Sequence, residues 1–242
     1  MMREVCSEKR EKTGRSQDVL DAFLFDFDGV LVDTETVWSN CLYQFCKSRA
    51  LPVKKEELLA YVGDGDRQVI SHIARIGGMR EEQILSEVRP PFQEASKELT
   101  LRPGVRSYFA YAKNEGIKLA LVSNSGRDYL KRWLEQLSLE SCFDCVVSRE
   151  SALRPKPAPD LYWKAIELLH LERSAKMIAV EDSALGMRAA AAAGIWAAAF
   201  PNEATGSAVA ALSPLCVDLA KIAPQELIRR AYEVYDGGRL QA

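Results

Sequence analysis

Nothing in this 242-residue chain is long and apolar enough to cross a bilayer. The longest apolar run, 189–200, falls well short of the roughly 20 residues a span needs, and it contains a glycine. Charge of one sign is also missing. Thirty-two Lys and Arg stand against 34 Asp and Glu, and a net charge of −2 gives neither nucleic acid nor an anionic membrane a reason to bind. Histidine is nearly absent: His72 and His170 lie far apart in the chain. Of the six cysteines, Cys142 and Cys145 form a single Cys-x-x-Cys with no second pair to complete a zinc set. They read as small apolar core residues in a reducing compartment. The first 20 residues carry five basic and four acidic side chains and no apolar run, so they do not read as a secretory signal. Residues 1–17 are expected to be a polar N-terminal tail. A cytoplasmic monomer is the default expectation.

What is present fits a globular protein with a substantial core: 48% apolar and 27% charged residues. The length suits one domain with an insertion, or one large and one small domain. Strand-like runs at 22–27, 118–123, 177–181 and 196–200, with a short one at 145–147, alternate with helical patterns, which predicts a parallel sheet covered by helices on both faces. Pro103-Gly104, Asp128, Pro159, Ser183 and Pro224 punctuate the helices. Between the first two strands lie about 80 residues with helical patterns at 36–49, 54–61, 66–76 and 80–99, the last interrupted by Pro90-Pro91. That is far longer than the dozen or so residues a crossover requires, so these helices form either an inserted unit or an enlarged layer.

Chemistry concentrates at the strand ends. Asp26-Phe27-Asp28-Gly29 follows the apolar Ala22-Phe23-Leu24-Phe25, and the carboxyl ends of strands are where open α/β sheets bind ligands. Two crowded carboxylates repel each other, and a divalent cation relieves them; a polar turn is the plainer alternative. Three further segments follow in order. They are Lys118-Leu119-Ala120-Leu121-Val122 ending in Ser123-Asn124-Ser125, then Arg154-Pro155-Lys156-Pro157, then Met177-Ile178-Ala179-Val180 ending in Glu181-Asp182-Ser183. Together, across residues 22–200, these four segments resemble the ordered signatures of the haloacid dehalogenase-like hydrolases. Within them the chain is most similar to the group of β-phosphoglucomutase and small sugar-phosphate phosphatases.

The resemblance implies a doubly wound, Rossmann-like α/β core from 18–33 and 102–242, with a helical cap at 34–101. It also implies a role for each matching residue. Asp26 would attack phosphorus, Asp28 would act as general acid and base, Ser123 would bind a phosphoryl oxygen with Asn124 assisting, and Lys156 would offset the charges of Asp26 and the phosphoryl group. Mg²⁺ would be held by Asp26, Asp182, the backbone carbonyl of Asp28 and, directly or through water, Glu181. Asp28 disfavours halide and phosphonate chemistry, whose enzymes replace that residue. In the mutase a histidine stands early in the cap where Trp38 stands here, which tilts the reading toward a phosphatase. Arg67, after the loop Gly63-Asp64-Gly65-Asp66, is the cap's candidate for substrate binding; that loop lacks the glutamate of a calcium-binding EF-hand. The expected activity is Mg²⁺-dependent hydrolysis of a small phosphorylated metabolite. A phosphosugar mutase is the rival enzyme, and a non-catalytic binding protein the rival of another class.

Overall fold

A computed structural model describes residues 19–59, 61 and 66–237. The 1–17 tail and Gly63-Asp64-Gly65 lie outside the described residues. The chain opens with β1 (Ala22–Phe25), then makes helices α1 (Thr34–Ser48), α2 (Lys55–Leu59), α3 (Asp66–Gly77), α4 (Glu81–Ser96) and α5 (Val105–Glu115). It continues through β2 (Lys118–Val122), α6 (Arg127–Leu137), β3 (Cys145–Val147), α7 (Asp160–Leu168), β4 (Met177–Glu181), α8 (Ala184–Ala192), β5 (Trp196–Ala199), α9 (Gly206–Ala210) and α10 (Pro224–Tyr235).

The five strands form one parallel sheet in the order β3-β2-β1-β4-β5. Phe23 of central β1 lies opposite Leu119 on one side and Ile178 on the other. A strand with neighbours on both edges and helices on both faces has no solvated side, so β1 is an unbroken apolar run. Its side chains divide by twos. Phe23 and Phe25 join Leu119, Leu121, Ile178 and Val180 against α5, α6 and α10. Ala22 and Leu24 join Ala120, Val122 and Ala179 against α7 and α8. From β1 the chain winds outward through β2 and β3 on one side, then crosses back to β4 and β5 on the other. The crevice at the carboxyl ends of β1 and β4 is therefore the topological switch point, where ligands bind in such sheets.

The helices between β1 and α5 have a core of their own, in which Trp38, Leu42, Phe45, Ile70, Ile73, Ile84 and Val88 pack together. They form an inserted helical cap. The cap's two connections meet where Arg102 N donates to Leu31 O at 2.8 Å. Two local expectations need correction. Helix α4 runs through Pro90 and Pro91 and stops at Ser96. Both prolines are exposed, and burial of Ile84 and Val88, with Phe92 packed beside them, outweighs the missing donors. Helix α6 is capped by Gly126, with Asp128 already in its first turn. No helix among the described residues is long and apolar enough to cross a membrane.

Candidate active site

Each strand end brings one group to the crevice. After β1, Asp26 N donates to Val180 O at 3.1 Å, which holds the residue beside β4. The chain then folds tightly, with Leu31 N on Phe27 O at 2.9 Å and Gly29 N on Val32 O at 2.8 Å. Gly29 has a φ of +75°, and a Cβ there would stand 1.8 Å from Asp182 Oδ2, so only glycine lets the two acidic loops approach this closely. Asp33 closes the turn by accepting from Thr36 N at 3.2 Å, capping α1.

Asp28 is held by three hydroxyls. Thr34 and Tyr129 each donate to Oδ1 at 2.8 Å, and Ser125 donates to Oδ2. Burial pushes its carboxyl above the usual range, the Ser125 hydrogen bond opposes this, and the charge of Asp26 adds to it.

After β2, Ser123 is buried and accepts from Ser125 N at 3.0 Å. Asn124 turns toward the neighbouring loop: Lys156 N donates to its Oδ1 at 2.8 Å, and its Nδ2 donates to Lys156 O at 3.2 Å. Both ends of that amide are thereby committed to the main chain of Lys156. Asn124 holds the lysine loop in this way, and it also lines the cavity above it. Lys156 itself is 4% exposed. Its Nζ donates to Val122 O at 2.7 Å and Glu181 Oε1 at 2.6 Å, and lies 3.1 Å from Asp26 Oδ1. Burial favours the neutral amine, but the charges of Asp26 and Glu181 outweigh it and hold the ammonium's pKa above its ordinary value.

At the end of β4 stand Glu181 and Asp182, both buried. Glu181 also accepts from Tyr162 OH. Burial pushes its carboxyl up to about 7 against the opposing charge of Lys156. Asp182 is driven well above the carboxylate range by burial and then by Asp26, Glu35 and Glu181. Its Oδ2 accepts from Asn202 Nδ2 at 2.8 Å. Ser183 caps α8 by accepting from Gly186 N at 3.1 Å.

Carboxylate oxygens of Asp26, Glu181 and Asp182 all lie within 4.8 Å of one another. Asp26 Oδ1 and Glu181 Oε2 are buried and accept no hydrogen bond. Three buried acids with one ammonium among them leave excess negative charge and unused oxygen lone pairs, a donor set that fits a hard divalent cation. Asp28's carboxylate is outside this cluster, so its place on a metal rests on its backbone carbonyl.

These groups floor a cavity of about 890 Å³ lined by Asp26, Asp28, Ser123, Asn124, Lys156 and Asp182 on the core side. Glu35 and Trp38 of α1 and Leu85, Arg89 and Phe92 of α4 supply the cap side. Trp38 meets Phe92 edge to face at 5.2 Å between ring centres. Arg67 does not line the cavity. It sits exposed on α3, because α1 and α4 are the helices turned toward the core. Sequence reasoning overlooked Tyr129, Thr34, Arg102 and Asn202. A signal existed for Asn202, which follows the fifth strand's carboxyl end as the acids follow the first and fourth.

Comparison with known proteins agrees with this geometry. Residues 23–200 match the family described as haloacid dehalogenase-like hydrolase. The chain is 31% identical over 183 residues to the phosphorylated carbohydrates phosphatase of Thermotoga maritima, covering 73% of this chain and 82% of that protein. It is 29% identical over 177 residues to hexitol phosphatase B of Escherichia coli K12, covering 71% and 79%. In three dimensions it resembles β-phosphoglucomutase from Clostridium difficile, with a TM-score of 0.71, 20% identity and coverage of 90% of this chain and all of that one.

Proposed function

Since the chain belongs to the haloacid dehalogenase-like hydrolases and acts on phosphate esters, we propose that it is a Mg²⁺-dependent phosphatase of a small phosphorylated sugar or polyol. The observation that carries this reading is the pairing of Asp26 and Asp28 below one cavity, the first held beside a buried lysine and the second held by three hydroxyls. Asp26 attacks the phosphorus and becomes the aspartyl-phosphate. Lys156, fixed by Val122 O and Glu181, lies against Asp26 Oδ1 and offsets negative charge where the phosphoryl group arrives. Ser123 closes the phosphoryl pocket from β2. Asp28 gives its proton to the leaving alkoxide and, once ionised, accepts one from the water that releases phosphate. Asp26, Asp182 and Glu181, with the backbone carbonyl of Asp28, would hold Mg²⁺, which supplies charge neutralisation at the phosphoryl oxygens.

Phosphatase is favoured over mutase by Trp38. The first cap helix presents an indole to the cavity at that position, and an indole cannot carry a proton on or off the sugar. The test is phosphate release across a panel of phosphorylated sugars and polyols, with β-glucose 1-phosphate followed for isomerisation and Asp26→Asn as control. Mg²⁺-dependent release that falls at least about a thousandfold in the variant is expected. Glucose 6-phosphate formed without free phosphate would make the enzyme a mutase, and activity retained by Asp26→Asn would remove the covalent mechanism.

A further inference from the structure

The carbonyl of Gly29, three residues past the nucleophile, accepts from two side chains that the mechanism above leaves idle. Arg102 Nη1 is one, and Asn202 Nδ2, at 3.3 Å, is the other. Arg102 reaches further. Its Nη1 also donates to Phe200 O at 3.0 Å and its Nη2 to Pro201 O at 2.7 Å, and its guanidinium carbon lies 3.6 Å from the centre of the Phe200 ring. Its own backbone N–H is spent on Leu31 O. One side chain, standing in the second connection to the cap, thus fastens the loop after β1 to the loop after β5.

Asn202 carries that framework to the acids. Its Oδ1 accepts from Ala204 N at 2.9 Å and Thr205 N at 2.8 Å, which fixes which end of the amide is oxygen. The Nδ2 end is therefore a donor directed at Asp182 Oδ2, 2.8 Å away. That hydrogen bond fixes the orientation of a carboxylate crowded by Asp26 and Glu181.

We propose that Asn202 and Arg102 are positioning residues for Asp182. Asn202 holds its carboxylate toward the acidic cluster, and Arg102 holds Asn202's loop directly at the Phe200 and Pro201 carbonyls and through the shared Gly29 carbonyl. This inference rests on Asp182 being a metal ligand. Outer partners of ligating carboxylates set metal affinity, typically by tenfold or more.

Calorimetric titration of Mg²⁺ into the wild-type protein, Asn202→Ala, Arg102→Met and the double variant tests it, with melting curves to verify folding. Asn202→Ala should weaken Mg²⁺ binding about tenfold or more, and Arg102→Met should weaken it by a smaller factor. The double variant should lose less than the product of the two, because Arg102 acts on Asp182 only by holding the loop that carries Asn202. In turnover, saturating Mg²⁺ should return kcat of Asn202→Ala to within a few fold of wild type, which general damage to the site would not allow. Arg102→Lys should not rescue, since one ammonium cannot span three carbonyls as the guanidinium does. Should Asn202→Ala fail to fold, Arg102→Met carries the test alone. Folded variants with wild-type Mg²⁺ affinity overturn the proposal. Wild-type protein that binds no Mg²⁺ overturns the metal reading itself, and this inference with it.

Discussion

A methyl group added at Gly186 would sit 1.8 Å from Glu181 Oε2 and 2.1 Å from its Cδ. The first turn of α8 passes so close to this buried acid that the residue there can have no side chain. Gly186→Ala gains helix propensity, worth about 1 kcal/mol, yet must push Glu181 off Lys156 or lift the helix. The expected net is a loss of about 1–3 kcal/mol in chemical denaturation, with turnover falling as Lys156 loses its neighbour. An unchanged midpoint would show that relieving the clash costs no more than the helix propensity gained. Tyr129→Phe is a gentler test. Its ring packs against Phe27 and Trp133, so stability should hold, while Asp28 loses one of three donors and kcat should drop about tenfold. The acids and Lys156 were legible because each ends a strand or follows a proline-flanked turn. Tyr129 and Arg102 were not, because their partners lie 101 and 73 residues away and nothing local marks them; Asn202, 173 residues from its partner, was marked only by its place after a strand.

At the scale of elements, legibility followed burial. Strands β1 and β4, buried on both faces, read as unbroken apolar runs and fall where their composition puts them. The cap helices obey a weaker rule. Pro90 and Pro91 argued for a break, and packing of α4 against α1 overrides them. Because Pro90 is exposed and leaves Ser86 O without its helical donor, Pro90→Ala should stabilise the cap by about 1–3 kcal/mol, read from the denaturation midpoint. A destabilised variant would mean that α4 depends on the local geometry the proline imposes. The position of Arg67, exposed and outside the cavity lining, belongs to this scale too. Sequence shows that a polar loop precedes a helix, whereas which helices face the core is settled by how four of them pack around Ile73 and Ile84.

Taken whole, the molecule has two apolar layers around the sheet and a separate core in the cap. Such a division predicts two units of opening. Ile73→Ala, which empties a fully buried position in the cap core, should cost about 2–5 kcal/mol there. Amide exchange should then quicken in α1, α3 and α4 while β1, β2 and β4 stay protected. Equal acceleration in the sheet would make the chain one cooperative unit. The buried Lys156 has a different kind of consequence, visible to an organic reagent. Nucleophilic attack by a lysine on an acylating reagent requires a neutral amine with an open approach. This nitrogen is surrounded by Val122 O, Glu181 and Asp26, and the two charges keep it protonated. Treated with an excess of acid anhydride while folded, the protein should acylate its solvent-facing lysines first. Label on Lys156 would mark the moment when the native structure around it gives way.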